Sequence, residues 1–128
     1  MTTGIIVFAH GSRIEPANQA VRSAAAALAR AGDHSVVEAA FLELARPSLE
    51  EAADLLIAQG VGRIVVVPYF LTPGTHLERD LPALIQNISN KYKDIQILST
   101  PSLDGHPALV DILADRVREA LVEPRTLK

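Results

Sequence analysis

The stretch V-V-V-P-Y-F-L-T-P-G-T-H-L-E-R-D, Val65 to Asp80, decides how this chain reads. Arg63 to Val67 reads as the clearest strand in the chain, and Gly4 to Ala9 is a short apolar, β-branched run with no alternation, the pattern of a strand buried on both faces of a parallel sheet. Pro68 has no N–H to donate and is expected to end the strand's ladder. A Pro/Gly loop follows, Leu71 to Thr75. Thr75 and Glu78 have capping-box spacing, so a helix is expected to open there with His76 in its first turn. The stretch has one counterpart upstream: the strand around Ile5-Ile6-Val7-Phe8-Ala9 runs into His10-Gly11-Ser12-Arg13. Two buried strands thus each deliver a histidine at their carboxyl end.

Working outward, the first strand, Gly4 to Ala9, precedes a helix over Glu15 to Ala31, with Val21, Ala24, Ala25 and Leu28 on one face and Gly32 as its C-cap. Val36 to Leu42 reads as a second, noisier strand. Ser48 and Glu51 form another capping box, and Leu49, Ala52, Ala53 and Leu56 follow at helical spacing. After the central stretch, Leu81, Leu84, Ile85 and Ile88 give the third helix its apolar face, with Pro82 tolerable only near the first turn. Asp94 to Ser99 holds a fourth strand. Asp104-Gly105-His106-Pro107 starts a last helix whose face is Leu109, Ile112, Leu113, Val117 and Leu121. A single domain over residues 1–124 with a polar tail at 125–128 is expected.

The order β-α-β-α-β-α-β-α implies a three-layer α/β/α architecture around a four-stranded parallel sheet. Right-handed crossovers give the simplest strand order, 2-1-3-4. Strands one and three are then central neighbours, and the crevice between their carboxyl ends is the switch point where such sheets bind ligands. His10 and His76 should meet there, with Glu43, just after strand two, as the nearest flanking carboxylate.

The chain's bulk properties narrow the chemistry. The 128 residues suffice for one core. The N-terminus M-T-T-G enters a strand directly, so no signal peptide is expected. No apolar run approaches the roughly 20 residues that span a bilayer, and a cytoplasmic location is the default. With no cysteine, disulfides, thiolate metal sites and cysteine nucleophiles are excluded. The net charge is −3 and aromatics are 4%, which argues against nucleic acid as a partner. Nine of the twelve basic residues are arginine, and Arg13, Arg46 and Arg79 fall near the loops of interest; arginine suits bidentate recognition of carboxylate or phosphate.

Two histidines and a carboxylate at one crevice have two uses. Neutral imidazoles ligate cobalt, nickel, iron or zinc, and histidine accepts protons near neutrality. The positive end of a helix dipole beside His76 would favour the neutral ring. His34 sits at the opposite end of the sheet and reads as solvated; His106 reads first as part of a helix start. The backbone N–H groups of the loop before the third helix could receive an anion, and Tyr69 and Phe70 either wall a flat ligand or pack beneath that loop. No Walker or dinucleotide motif is present. A histidine-dependent phosphoryl-transfer enzyme on a flavodoxin-like sheet is a weaker reading, because it wants an arginine immediately before the first histidine, where Ala9 stands. A metal or tetrapyrrole carrier without turnover and a silent regulatory paralogue remain open on residues alone.

H-G-S-R after the first strand, P-Y-F-L-x-x-G-x-H-x-x-x-D-L-P after the third and G-H-P before the last helix resemble the small CbiX/SirB-type sirohydrochlorin chelatases of class II, over about residues 4 to 121. That family inserts cobalt, iron or nickel into sirohydrochlorin on the way to cobalamin, sirohaem or a nickel tetrapyrrole. The resemblance implies that His10 is the proton acceptor and a metal ligand, and His76 the second metal ligand. It places Leu71, Thr72, Pro73, Gly74 and Thr75 against the tetrapyrrole and Arg46 near its carboxylates. Ser12 and Arg13 become substrate contacts, and Glu43 a metal-delivery or proton-relay group. It implies no permanently bound cofactor: Co2+, Ni2+ or Fe2+ enters as substrate. Larger chelatases of this class carry two such modules, so a single module is expected to work as a homodimer.

Overall fold

Residues 4–9 offer nothing polar to solvent, and the chain hides them. In a computed structural model describing residues 2–32, 36–71 and 74–123, with the side chains of Thr75, His76 and Glu78 outside the description, strand β1 (Thr3–Ala9) is buried from Gly4 onward. β2 (Val37–Phe41) and β3 (Arg63–Pro68) flank it, and β4 (Gln96–Ser99) lies outside β3. All pairings are parallel and the order is β2-β1-β3-β4, the order expected from right-handed crossovers. Gly4 sits where α2 (Leu49–Ala58) crosses the sheet: an added Cβ would lie 2.9 Å from Leu56 Cδ1.

The alternation of strand side chains divides the core in two. On one face α1 (Glu15–Ala31) lays Val21 and Ala25 on Val7, Ala9, Ala39 and Phe41. On the other, α2 and α3 (Thr75–Lys91) enclose Ile6, Phe8, Ile64 and Val66 with Leu49, Ala52, Leu56, Leu77 and Ile88. The α2 capping box forms as its spacing predicts. Ser48 Oγ accepts the Glu51 N–H at 3.1 Å, and a Glu51 carboxylate oxygen accepts the Ser48 N–H at 2.9 Å.

Pro68 is the last residue of β3, as expected. It pairs with Phe8 inside β3, and the next residue, Tyr69, donates its N–H to the Phe8 carbonyl at 2.7 Å; a proline is tolerated because β1 needs no donor from that position. Other local expectations need correcting. The N-cap of α3 is Gly74, one residue before Thr75. His76 is therefore still in the first turn, without the Thr75 cap. Pro82 is the eighth residue of α3, beyond the first turn, with its ring on the exposed side. Gly32 does cap α1, donating to the Leu28 carbonyl at 3.1 Å, but in an extended conformation.

The largest departure concerns α4 (Ala108–Val122). Its stripe follows helical spacing, yet no residue of the helix is buried. Val110, Leu113, Val117 and Leu121 are 59–76% exposed. The sheet shows the matching defect. Val65 and Val67 pair with Ile5 and Val7, and Leu98 pairs with Val65, so all share the α1 face. Among the described residues, the helix α1 packs chiefly over β1 and β2. Val65 and Val67 are consequently half-buried and Leu98 is 42% exposed. No helix among the described residues is long and apolar enough to cross a membrane.

Candidate metal and tetrapyrrole site

Parallel pairing of β1 with β3 runs as far as Phe8 and Pro68, and the exit of β2 stays with that of β1 beyond it. Past β1, Leu42 donates its N–H to the Ala9 carbonyl at 2.9 Å and Glu43 to the His10 carbonyl at 3.1 Å. The exit of β2 is thereby laced to the exit of β1. Gly11 allows this approach. Its φ is +97°, and an added Cβ would sit 1.8 Å from the Glu43 carbonyl oxygen, so the close packing and the left-handed backbone both require glycine. Leu44 takes φ +67° just beyond and is 54% exposed; a left-handed leucine costs roughly 1–2 kcal/mol. The loop 42–47 closes where it began, with the Phe41 N–H donated to the Pro47 carbonyl at 2.9 Å. His10 and Glu43 stand exposed at this junction, available to a ligand.

The loop 10–13 is held from below by Asn18, the one buried polar side chain among the described residues, at 2% exposure. Its Oδ1 accepts the Ser12 N–H at 2.9 Å, and its Nδ2 donates to the Ser12 carbonyl at 2.8 Å and to Glu15 at 3.2 Å. One carboxamide thus satisfies both backbone groups of Ser12. Ser12 Oγ in turn accepts the Ile14 N–H at 3.0 Å, which starts α1. Asn18 is a site-building residue absent from the expected set. The signal was in the sequence: it stands three and seven residues before Val21 and Ala25, a polar residue on the stripe that α1 buries.

Across the sheet, α3 opens at Gly74, and Leu77, 4% exposed, anchors its first turn in the core. His76 therefore has a fixed backbone position at the end of the central strand next to β1. Thr72 and Pro73 lie outside the described residues, as does His34; Leu71 and Gly74 are exposed beside them. Beyond this loop, a cavity of about 540 Å³ opens at the carboxyl ends of β3 and β4, lined by Pro68, Phe70, Leu77, Leu81, Ile85 and Thr100. Its wall is mainly apolar, with hydroxyls at the rim. Phe70 both lines the cavity and packs on the core. Tyr69 is exposed at 39%.

Other candidates go elsewhere. The Arg46 guanidinium pairs with Glu51 at the start of α2. That pair, with the Ser48 N–H, holds the Glu51 carboxyl down to about 2. His106 uses Nδ1 to accept the Ala108 N–H at 3.0 Å, a helix-start role. Arg13 and Arg79 are exposed. Among the described residues, which do not include the His76 side chain, no three His, Cys, Asp or Glu gather as a metal-holding group.

Comparison with known proteins agrees with this arrangement. The CbiX family model matches residues 4–120. The chain is 36% identical over 118 residues to the chloroplastic sirohydrochlorin ferrochelatase of Arabidopsis thaliana, matching 92% of this chain and 52% of that one. It is 30% identical over 139 residues to the sirohydrochlorin cobaltochelatase of Methanopyrus kandleri, with 93% and 97% covered. The chain thus spans about half the length of the plant relative and nearly all of the archaeal one. Among solved structures, a cobalamin-biosynthesis CbiX protein of Marinobacter aquaeolei superposes with a TM-score of 0.82 at 30% identity, covering 94% of this chain and 98% of that one. This chain, with one histidine directly after β1 and another in the first turn of α3, beyond the two central strands of a 2-1-3-4 sheet, belongs to the CbiX family.

Proposed function

We propose that this chain is a sirohydrochlorin metal chelatase that inserts a divalent metal, cobalt first and nickel or iron as alternatives, into sirohydrochlorin. The observation that carries the reading is the pairing of β1 with β3 as far as Phe8 and Pro68. It brings His10, with Glu43 bonded to its backbone, and the first turn that holds His76 out of adjacent strands on one edge of the sheet. The preference for cobalt is supported by the relative of matching length being a cobaltochelatase. The plant relative's double length supports action by two copies of this chain. A chain without cysteine suits the reducing cytoplasm.

Insertion requires the macrocycle to lose two pyrrole protons while the metal exchanges water for nitrogen. His10, exposed at the loop after β1, lends its one unprotonated ring nitrogen to the incoming metal, and once the metal has passed to the macrocycle the same nitrogen is free to accept a pyrrole proton. His76 contributes the second nitrogen to the metal. Two protein nitrogens hold a divalent ion loosely enough to release it into a four-nitrogen ring. Glu43 draws the hydrated cation toward His10 and relays the proton outward. Leu71 to Thr75, with the apolar cavity beyond, receives the flat face of the ring, while Ser12 and Arg13 meet its carboxylates. Arg46 joins them only by exchanging its Glu51 partner for a substrate carboxylate.

The test is anaerobic: sirohydrochlorin with Co2+, Ni2+ or Fe2+, followed by visible absorbance. Wild type accelerates metallation with at least one metal, and His10→Ala and His76→Ala each lose about 100-fold or more. A spectral shift on mixing with no acceleration would mean a carrier. Neither effect would leave only the fold.

A further inference from the structure

We propose that Arg22 is a positioning residue of the metal site: its guanidinium ties the loop after β1 to the loop after β2, so that His10 and Glu43 are held as one unit. The inference rests on the chelatase reading for what those two side chains do, and on a continuous chain of hydrogen bonds for how they are held. Arg22 stands four residues after Asn18 and seven after Glu15, so all three lie along one side of α1. Helical side chains lean toward the amino end. Arg22 accordingly reaches back, donating from Nη1 to Glu15 at 2.6 Å and to Gln19 at 3.1 Å. The other oxygen of Glu15 accepts from Asn18 at 3.2 Å, and Asn18 holds both backbone groups of Ser12. From the same guanidinium, Nη2 donates to the Arg46 carbonyl at 3.3 Å. The path Ser12–Asn18–Glu15–Arg22–Arg46 joins loop 10–13 to loop 42–47.

Several features separate this arrangement from an ordinary surface ion pair. A spacing of seven is not the three or four residues at which charges support a helix, so helix support does not account for the reach. The guanidinium also lies over Phe41, its carbon 5.2 Å from the ring centroid. Phe41 is the last residue of β2, is 1% exposed, and gives its N–H to the Pro47 carbonyl. Arg22 thus grips loop 42–47 at its root and near its far end. That loop carries Leu44 in a left-handed backbone at φ +67° and gains from an outside anchor. Arg46 is fixed twice, its carbonyl to α1 and its guanidinium to Glu51 on α2. Arg22 and Asn18 together hold the Glu15 carboxyl below its ordinary value, Arg22 more strongly, so at neutral pH it accepts from both. The Glu43 N–H donated to the His10 carbonyl at 3.1 Å closes the circuit. A planar fork serves Glu15 and the Arg46 carbonyl at once, which the single ammonium of a lysine does not.

Amide hydrogen exchange and metallation kinetics test this together. Arg22→Met keeps an alkyl stem on Phe41 and removes every donor, Arg22→Lys keeps the charge, and Glu15→Ala cuts the same path from its other side. In Arg22→Met and Glu15→Ala the Glu43 and Ser12 amides should exchange about 10-fold faster, while those of Ile6 and Val66 keep the wild-type rate. For metal insertion kcat should fall about 10-fold with KM for sirohydrochlorin within about twofold, because reacting groups are misplaced and the ring is still bound. Arg22→Lys should lie nearer to Arg22→Met than to wild type in both readouts. Adding Arg22→Met to Asn18→Ala should slow metallation no further than the slower single variant. Wild-type exchange at Glu43 in Arg22→Met overturns the proposal. So does faster exchange spread evenly through the core, a kcat within about twofold of wild type, or full rescue by lysine. The exchange rates need no substrate, so a wild type that inserts no metal would sink the chelatase reading while the bridge is still judged at Glu43 and Ser12.

Discussion

Replacing Asn18 separates a loop held by its own backbone from one held by a buried carboxamide. In Asn18→Ala the Ser12 N–H and carbonyl lose their partners at 2.9 and 2.8 Å, and Glu15 loses a donor at 3.2 Å. A net hydrogen bond is worth about 1 kcal/mol, and leaving a buried group unpaired costs about 1–3 kcal/mol. Ser12 is only half-buried, so water recovers part of this. The expected loss is about 2–3 kcal/mol, read as a lower urea midpoint at unchanged slope. Because the same bonds position His10, the metallation rate of the folded variant should fall about 10- to 100-fold. Asn18→Asp sharpens the test. It keeps the acceptor for Ser12 N–H but turns an oxygen toward the Ser12 carbonyl and Glu15. That repulsion raises the new carboxyl's folded pKa, so its deficit relative to wild type should be small at low pH and grow as pH rises through the carboxylate range. If Asn18→Ala lies within about 0.5 kcal/mol of wild type and keeps its rate, the claim that Asn18 builds the site is wrong.

Three further outcomes follow from other contacts. Gly11→Ala forces a Cβ to within 1.8 Å of the Glu43 carbonyl at φ +97°; it should cost about 3 kcal/mol in urea titration and uncouple Glu43 from His10. Ser48→Ala removes the α2 cap and should cost about 1 kcal/mol, seen as a lower midpoint with the metallation rate retained. Tyr92 donates to Asp54 at 2.5 Å, which lowers the Asp54 pKa below its ordinary 3.8 and raises that of Tyr92 above its ordinary 10.0. The lowered carboxyl stabilises above its unfolded pKa and loses that contribution as pH falls through its folded value. The raised phenol stabilises below its unfolded pKa and loses that contribution as pH rises through its folded value. Tyr92→Phe should therefore lower the urea midpoint most between about pH 5 and 9, and the gap should narrow at both extremes.

What the sequence made legible, and what it left hidden, divides along physical lines. The central strands could be read because burial on both faces erases polar alternation in Ile5 to Ala9 and nearly so in Ile64 to Val67. The sheet order followed from handedness, and it brought Glu43 to His10, a contact the backbone makes directly. Local endpoints were less legible. Gly74 caps α3 although Thr75 has the better side chain, because the N-cap is set by where the backbone leaves the extended region and not by side-chain preference alone. The resemblance placed Arg46 near the substrate carboxylates; the pairing of its guanidinium with Glu51, five residues on, was not legible from that pattern. Asn18 was overlooked because a polar residue on a buried stripe looks like noise until its partners are known.

The last helix marks a different boundary. Periodicity reports that α4 has a face to cover, and it reports this equally well whether the cover comes from the same chain or from another. Only the exposure of Leu113 and Val117, set against that of Val65, Val67 and Leu98, distinguishes the two. An amphipathic pattern is thus a statement about a missing neighbour, and the identity of that neighbour is settled by whether the connecting segment lets the helix reach home. Here residues 100–107 are tied down by four hydrogen bonds and a left-handed glycine, and the stripe that a sequence reader assigns to the core stays open to solvent.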